Sequence, residues 1–255
     1  MRSDYSVTNV NPATIRAMNH VPEMDRIRNR ANEGSTSALG TMVEQLGRTF
    51  SKRVPRVDCS PLFGNELLGQ VDILSSEPQG RVIREDRIPD AGDFRIKRWD
   101  VLIPGVGQLG QATLFGRAFI ADGRLAGKLA SEDIVILRFP NPGDSASLFT
   151  YALLCTNFGL RAIRSCAYGT SIPRIRLDLL SSLPVPRPDE NLQERVAQFI
   201  RSAVEFRETY LREITTARGL IENQPDMSEA REMCEERKAR SLVRDGALPT
   251  LQAWT

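Results

Sequence analysis

The spacing of apolar residues divides the chain into three textures. Residues 1–45 are polar and carry no sustained period, with Asn11-Pro12 and the run Asn32-Glu33-Gly34-Ser35-Thr36-Ser37. A short helix over 22–28 is the one regular element expected in this loosely structured lead-in. From 46 to 188 the apolar residues come in brief runs bounded by Gly, Pro, Asp or Ser: Val71–Leu74, Arg81–Ile83, Phe94–Ile96, Val101–Ile103, Ala118–Ile120 and Ile134–Leu137. Runs of that length between turn-forming residues predict short strands. Within the same region, 146–160 reads as one amphipathic helix closed by Gly159.

At Leu183-Pro184-Val185-Pro186-Arg187-Pro188 the texture changes again. Proline restricts both itself and the residue before it, so this segment must be extended. From 189 to 223 the only helix-weakening residue is Gly219. The apolar positions Val196, Phe199, Ala203, Phe206, Tyr210, Ile214, Ala217 and Ile221 follow steps of three and four, a coiled-coil-like seam with one extra residue between Phe206 and Ile214. At about 1.5 Å per residue such a helix reaches roughly 50 Å, more than a small domain covers, so the seam calls for a partner helix. Pro225 ends it, and Asp226-Met227-Ser228-Glu229 resembles a capping box opening a charged helix to about Arg244, followed by a tail. The expected fold is therefore α+β: a lead-in at 1–45, a mixed β-rich domain at 46–188, a long coiled-coil-forming helix at 189–223, and a charged helix and tail at 226–255.

Composition narrows the function more than the fold. Hydrophobic residues make up 41% and charged residues 26%, values of an ordinary globular protein. No apolar run is long enough to span a bilayer, and the first residues lack a signal peptide's apolar core, so a cytoplasmic protein is expected. Cys59, Cys155, Cys166 and Cys234 form no C-x-x-C pair, which suits reduced thiols. The single histidine, His20, lies in the polar lead-in, leaving histidine-based metal or triad chemistry almost nothing to work with. Net charge is only +2, but its distribution is uneven: Arg161, Arg164, Arg174 and Arg176 occur in one stretch without an acid. On its own, such a run describes a solvated face as well as it describes a phosphate-binding one.

Several catalytic motifs are approached and missed. Gly105-Val106-Gly107-Gln108-Leu109-Gly110 is a literal G-x-G-x-x-G after an expected strand, and Glu132 and Asp133 lie at a distance suited to a ribose partner. The sequel, 111–120, has a glycine in its middle, no helical stripe and a β-like end. A glycine-rich turn fits it better than the helix that a nucleotide or S-adenosylmethionine site requires. Phe139-Pro140-Asn141-Pro142-Gly143 lacks the aromatic of an amino-methyltransferase motif, and Pro89-Asp90 is not followed by the spaced acid and lysine of a nuclease. Gly123 to Lys128 has the wrong spacing for a phosphate-binding loop. The chain is expected to be no enzyme and to use no cofactor or metal.

Taken in order, the pieces resemble a known family. They are the strand unit 99–103 with its glycine-rich turn, the Ile134–Leu137 strand and the helix 148–160. After these come the Gly169-Thr170-Ser171-Ile172-Pro173-Arg174-Ile175 turn, the 177–188 segment ending in alternating prolines, and Asn191 to Ile200 opening the long helix. Together they resemble one target recognition domain and one spacer helix of a type I restriction-modification specificity subunit, over about residues 46–223. The usual family member carries two such sets; this chain has one clear set. The resemblance implies double-stranded DNA as ligand, with partner methyltransferase and restriction or translocase subunits doing the chemistry. It also implies self-association through the long helix. Arg161, Arg164, Arg174 and Arg176 are the expected phosphate contacts, with Tyr168, Thr170 and Ser171 on the same turn and Gln108 and Gln111 on the glycine-rich turn. The rival reading from another class is a coiled-coil scaffold of a defence complex that does not read DNA.

Overall fold

The structure, a computed structural model, describes residues 36–47, 54–110, 112–169 and 171–224. The expected helices at 22–28 and 226–244, His20 and Cys234 lie outside the described residues. The chain divides into two units, Met1–Glu205 and Phe206–Thr255.

The first unit is built on a sheet of four strands in which β5 (Val101–Pro104) lies between β6 (Phe119–Ile120) and β8 (Ile134–Arg138), and β8 pairs in turn with β2 (Gln45–Leu46). All of these pairings are antiparallel. Both central strands are buried along their whole length. Successive strand residues point to opposite faces, so Val101, Ile103, Val135 and Leu137 enter one core while Leu102, Ile134 and Ile136 enter another. That is why these strands read as unbroken apolar runs rather than alternating ones. Helices α3 (Ser145–Cys155), α4 (Asn157–Ser165) and α5 (Leu177–Ser181) line the first core through Leu154, Ala162, Ile163 and Leu180. A smaller sheet of β4 (Arg81–Ile83), β3 (Asn65–Leu68) and β7 (Leu129–Ala130) closes the second through Leu68 and Ala130. The fold is α+β.

Several expected elements differ. The 146–160 helix is two helices, because Thr156 is extended (φ −70°, ψ 162°) and its hydroxyl accepts a hydrogen bond from Gly159 N at 3.0 Å. Gly159 therefore sits in the first turn of α4 instead of ending α3, and it allows a close approach: a Cβ there would lie 2.3 Å from Leu153 O. Val71–Leu74 is not a strand but a 3-10 turn over Asp72–Leu74, whose Asp72 carboxylate accepts from Gly69 N at 2.7 Å. Phe94 ends a one-turn helix, α2 (Ala91–Phe94), and only Arg95 bridges to Leu129. Nor is the stretch before residue 46 loose where it is described. Strand β1 (Thr36–Ala38) and helix α1 (Leu39–Met42) precede β2, and β1 pairs with β11 (Pro184–Pro186), the proline segment itself. Proline at two of its three positions removes ladder donors from β11, which is tolerable in a two-stranded pairing.

The long helix α6 (Glu190–Glu222) begins where the sequence indicates, with the Asp189 carboxylate accepting from Leu192 N at 2.9 Å. Within the first unit it buries Ala197 and Val204 against Ile120 and Leu148, with Trp99, Tyr151 and Ile200 packed around them. The seam lies elsewhere on the helix. Phe199 and Phe206 are 76% and 74% exposed; Ala203, Tyr210, Ala217 and Ile221 are exposed, and Val196 and Ile214 half-buried. At 3.6 residues per turn, the 196/199/203 positions are rotated about 100° from the 197/200/204 positions. One helix thus carries an anchored face and a separate apolar face.

Candidate nucleic-acid interface

Two segments far apart in sequence meet beside the first core. The hairpin of β9 (Ala167–Tyr168) and β10 (Arg174–Ile175) pairs Ala167 with Ile175 and Tyr168 with Arg174. Ala167 and Ile175 are fully buried, which leaves Tyr168 and Arg174 side by side on the outer face. Gly169, at φ +86°, turns the chain into the connecting loop, where Ser171 is exposed and Ile172 is 60% exposed. The glycine-rich turn after β5 then docks on β10. Val106 bridges Arg174, Gly107 N donates to Pro173 O at 3.0 Å, and Ile175 N donates to Gly105 O at 2.9 Å. Gln108 therefore stands exposed next to the hairpin loop. No helix follows these glycines among the described residues; the chain runs through turns to β6.

The arginines separate into different roles. Arg164, on α4, points its guanidinium into the loop after the glycine-rich turn, donating to Phe115 O at 3.0 Å and to Thr113 O and Oγ1 at 3.2 Å. Burial, and then the Arg117 guanidinium beside it, lower its pKa from the usual arginine value. Arg117 in turn donates to Thr113 O at 3.0 Å. Arg176 forms a two-pronged ion pair with Asp178, which raises its pKa. These two expected phosphate contacts thus spend much of their donor capacity within the chain. Arg161 is exposed on α4 and Arg174 half-buried on β10. Gln111 and Thr170 lie outside the described residues.

The structure thus brings Gln108, Tyr168, Ser171 and Arg174 together and adds Ile172 on the same loop; Arg117, beside Arg164, is a further cation, and sequence reasoning missed both. Arg117 follows the Phe115-Gly116 turn with no periodic signal, and Ile172 reads as an apolar residue in a loop; only the docking of the loops marks either. A cleft of about 420 Å³ nearby is lined by Arg56, Gln70, Arg81 and Leu114 among others. Its arginines are engaged by Glu132 and Asp58.

The sequence matches no protein-family model and no curated protein. Solved structures do match. The type I restriction-modification S subunit from M. genitalium is 16% identical, matching 83% of this chain and 46% of its own length, with a TM-score of 0.38. For the HsdS subunit from Thermoanaerobacter tengcongensis the values are 15%, 85%, 51% and 0.43. A third, from a study of complex assembly and conformational transition in the type I restriction-modification system, gives 16%, 87%, 51% and 0.42. The chain spans about half the length of these proteins, and its structural neighbours are type I specificity subunits.

Proposed function

We propose that the chain is a non-catalytic, sequence-specific DNA-recognition subunit of a restriction-modification or related phage-defence complex. It directs partner methyltransferase and nuclease subunits to a split site in double-stranded DNA. The observation that carries this reading is the docking of the glycine-rich turn on the β9–β10 hairpin. It gathers an amide (Gln108), a hydroxyl (Ser171), an aromatic (Tyr168) and a cation (Arg174) on one surface. An amide side chain pairs bidentately with adenine and arginine with guanine, while an exposed apolar residue such as Ile172 suits a thymine methyl. Arg161 and Arg117 would neutralise phosphates. Arg164 contributes by holding the loop at 113–115, while Arg176 is engaged by Asp178. The exposed seam of α6 fits the second half of the reading: two such units, pairing their helices antiparallel, hold two recognition surfaces at a fixed separation.

The test is made in the host and on purified protein. Copurification should recover a methyltransferase subunit, and the genome should carry a split methylated motif that vanishes when the gene is deleted. In solution, duplex affinity should fall steeply with salt, and Arg161→Ala should reduce the magnitude of that slope by about one, whereas Arg174→Ala should relax specificity at one position. Gln108→Ala should cost the cognate duplex about 1–3 kcal/mol and random DNA little. A complex without methyltransferase, an unchanged methylome and salt-independent behaviour would instead leave a coiled-coil scaffold.

A further inference from the structure

The two most exposed large apolar side chains among the described residues are neighbours, Leu62 at 86% and Phe63 at 78%. They stand at the tip of a tight turn, Ser60-Pro61-Leu62-Phe63, closed by Phe63 N donating to Ser60 O at 2.9 Å. Proline fixes φ at the second position of such a turn, and serine suits the first. Below the tip the chain is pinned to β4. Asp58 bridges Ile83, Arg84 N donates to Val57 O at 2.8 Å, and the Arg81 guanidinium grips the Asp58 carboxylate with two nitrogens. Gly64 closes the neck: a Cβ there would lie 2.3 Å from Cys59 Sγ and 2.6 Å from Ile83 O. An apolar pair is thus held out in solvent on a stiff mount, an arrangement that forgoes the free energy of burial unless a ligand covers it.

We propose that Leu62 and Phe63 form a wedge that inserts between two base pairs beside the bases read, an inference resting on the DNA-recognition reading above. Area, position and charge favour a base step over a protein partner. The two side chains offer on the order of 300 Å², well short of the about 800 Å² per partner of a stable protein interface. They do match the pieces with which proteins part stacked bases, single Leu or Phe side chains among them. The cleft of about 420 Å³ has Arg56, Val71 and Arg81 on the side of the small sheet and Leu114 on the loop that Arg164 holds. The turn, tied to Arg81 through Asp58, and the loop beside the reading surface therefore border one cleft. The acids at the neck, Asp58 and Asp86, are each paired with an arginine, Arg81 and Arg84, whose outer N–H groups can also meet phosphates. The stiff mount lowers the ordering cost of insertion. Pyrimidine–purine steps unstack most readily, so the wedge selects such a step without a hydrogen bond to it.

The experiment first selects bound duplexes from a randomised pool with the full chain. The selected duplex is then treated, free and in complex, with permanganate, which oxidises unstacked thymine, and with diethyl pyrocarbonate, which modifies unstacked purines. Wild type should enrich a motif with a pyrimidine–purine step at one position, and that step should become reactive only in the complex. The double variant Leu62→Ala, Phe63→Ala should melt like wild type, because both side chains are exposed, and should keep the hydrogen-bonded positions of the motif. Reactivity at the step should fall to that of free duplex, and its enrichment should disappear. Leu62→Met with Phe63→Leu keeps an apolar wedge and should retain both signals. A wild-type complex without a reactive step, or unchanged reactivity in the alanine variant, overturns the wedge. If the alanine variant keeps the reactive step but no longer copurifies with a methyltransferase subunit, the turn docks a protein and the wedge is equally overturned. Failure of wild type to enrich any motif overturns the DNA-recognition reading itself, and is visible before either reagent is added.

Discussion

Replacing Asp100 by alanine should be among the most damaging single changes in the domain. Asp100 is 1% exposed and Arg138 5%. The two carboxylate oxygens accept from Arg138 Nε at 2.9 Å and Nη2 at 2.7 Å, and Oδ2 also accepts from Lys97 N at 2.7 Å. Arg138 further donates to Gln45 Oε1 at 2.5 Å and Arg95 O at 2.7 Å, so the pair ties β2, β8 and the segment before β5 together. Asp100→Ala leaves a buried guanidinium without a counter-charge, a situation that costs about 3–5 kcal/mol. Against a typical domain stability of about 5–15 kcal/mol, that is roughly a fifth or more. Arg138→Met should also be costly, while the double variant removes both charges and should cost clearly less than the sum. The coupling in such a double-mutant cycle should be at least about 1 kcal/mol. Urea unfolding followed by circular dichroism at 222 nm measures all four proteins. A loss below about 1 kcal/mol for Asp100→Ala, or additivity within about 0.5 kcal/mol, would refute the idea that this pair holds the sheet to its neighbours.

Three further outcomes follow from named contacts. Gly159→Ala would place a Cβ 2.3 Å from Leu153 O and 2.5 Å from Leu154 Cα, backbone atoms that cannot step aside; a stability loss of about 1–3 kcal/mol or more is expected, and a neutral thermal melt would contradict the helix break. Hydrogen bonding from Arg201, then from Ser145, holds Glu194 at about 2, below its ordinary 4.5. Its stabilising contribution is therefore complete above pH 4.5 and is lost as pH falls toward 2. Unfolding titrations of wild type and Glu194→Gln should diverge above that window and converge below it; parallel curves would argue against the contact. Phe199→Glu with Phe206→Glu should abolish self-association in sedimentation while leaving the melting temperature of the domain unchanged, since both side chains are exposed; an unchanged sedimentation profile would remove the seam from the assembly.

The elements that could be read directly were those whose signal is local. Helix α6 carries its own period, its own stop and start chemistry and no competing turn residues, and it lies within one residue of the expected bounds. Strands β4, β5, β6 and β8 were legible as apolar runs between turns. Errors arose where a side chain intervened in the backbone. The Asp72 carboxylate converts an apolar run into a turn, and the Thr156 hydroxyl splits an apolar helical stretch. Strand β1 was missed because it is short and unpatterned, and the extended proline segment becomes strand β11 only by pairing with it.

The interface divides the same way. The sequence by itself determined that α6 must be a long amphipathic helix with an apolar seam, that short apolar strands make up much of the domain before it, and that arginines cluster between 161 and 176. It gave those four arginines equal standing. Tertiary structure decided that Arg164 holds the loop at 113–115, that Arg176 is engaged by Asp178, that Arg174 stands opposite Tyr168, and that Gln108 joins them from a distant turn. It also decided which stripe of α6 faces its own domain and which is left exposed. The reason is physical: a period of three to four residues is written along the chain, whereas the partner of a guanidinium or a strand edge is set by which backbone groups the folded core brings within about 3 Å.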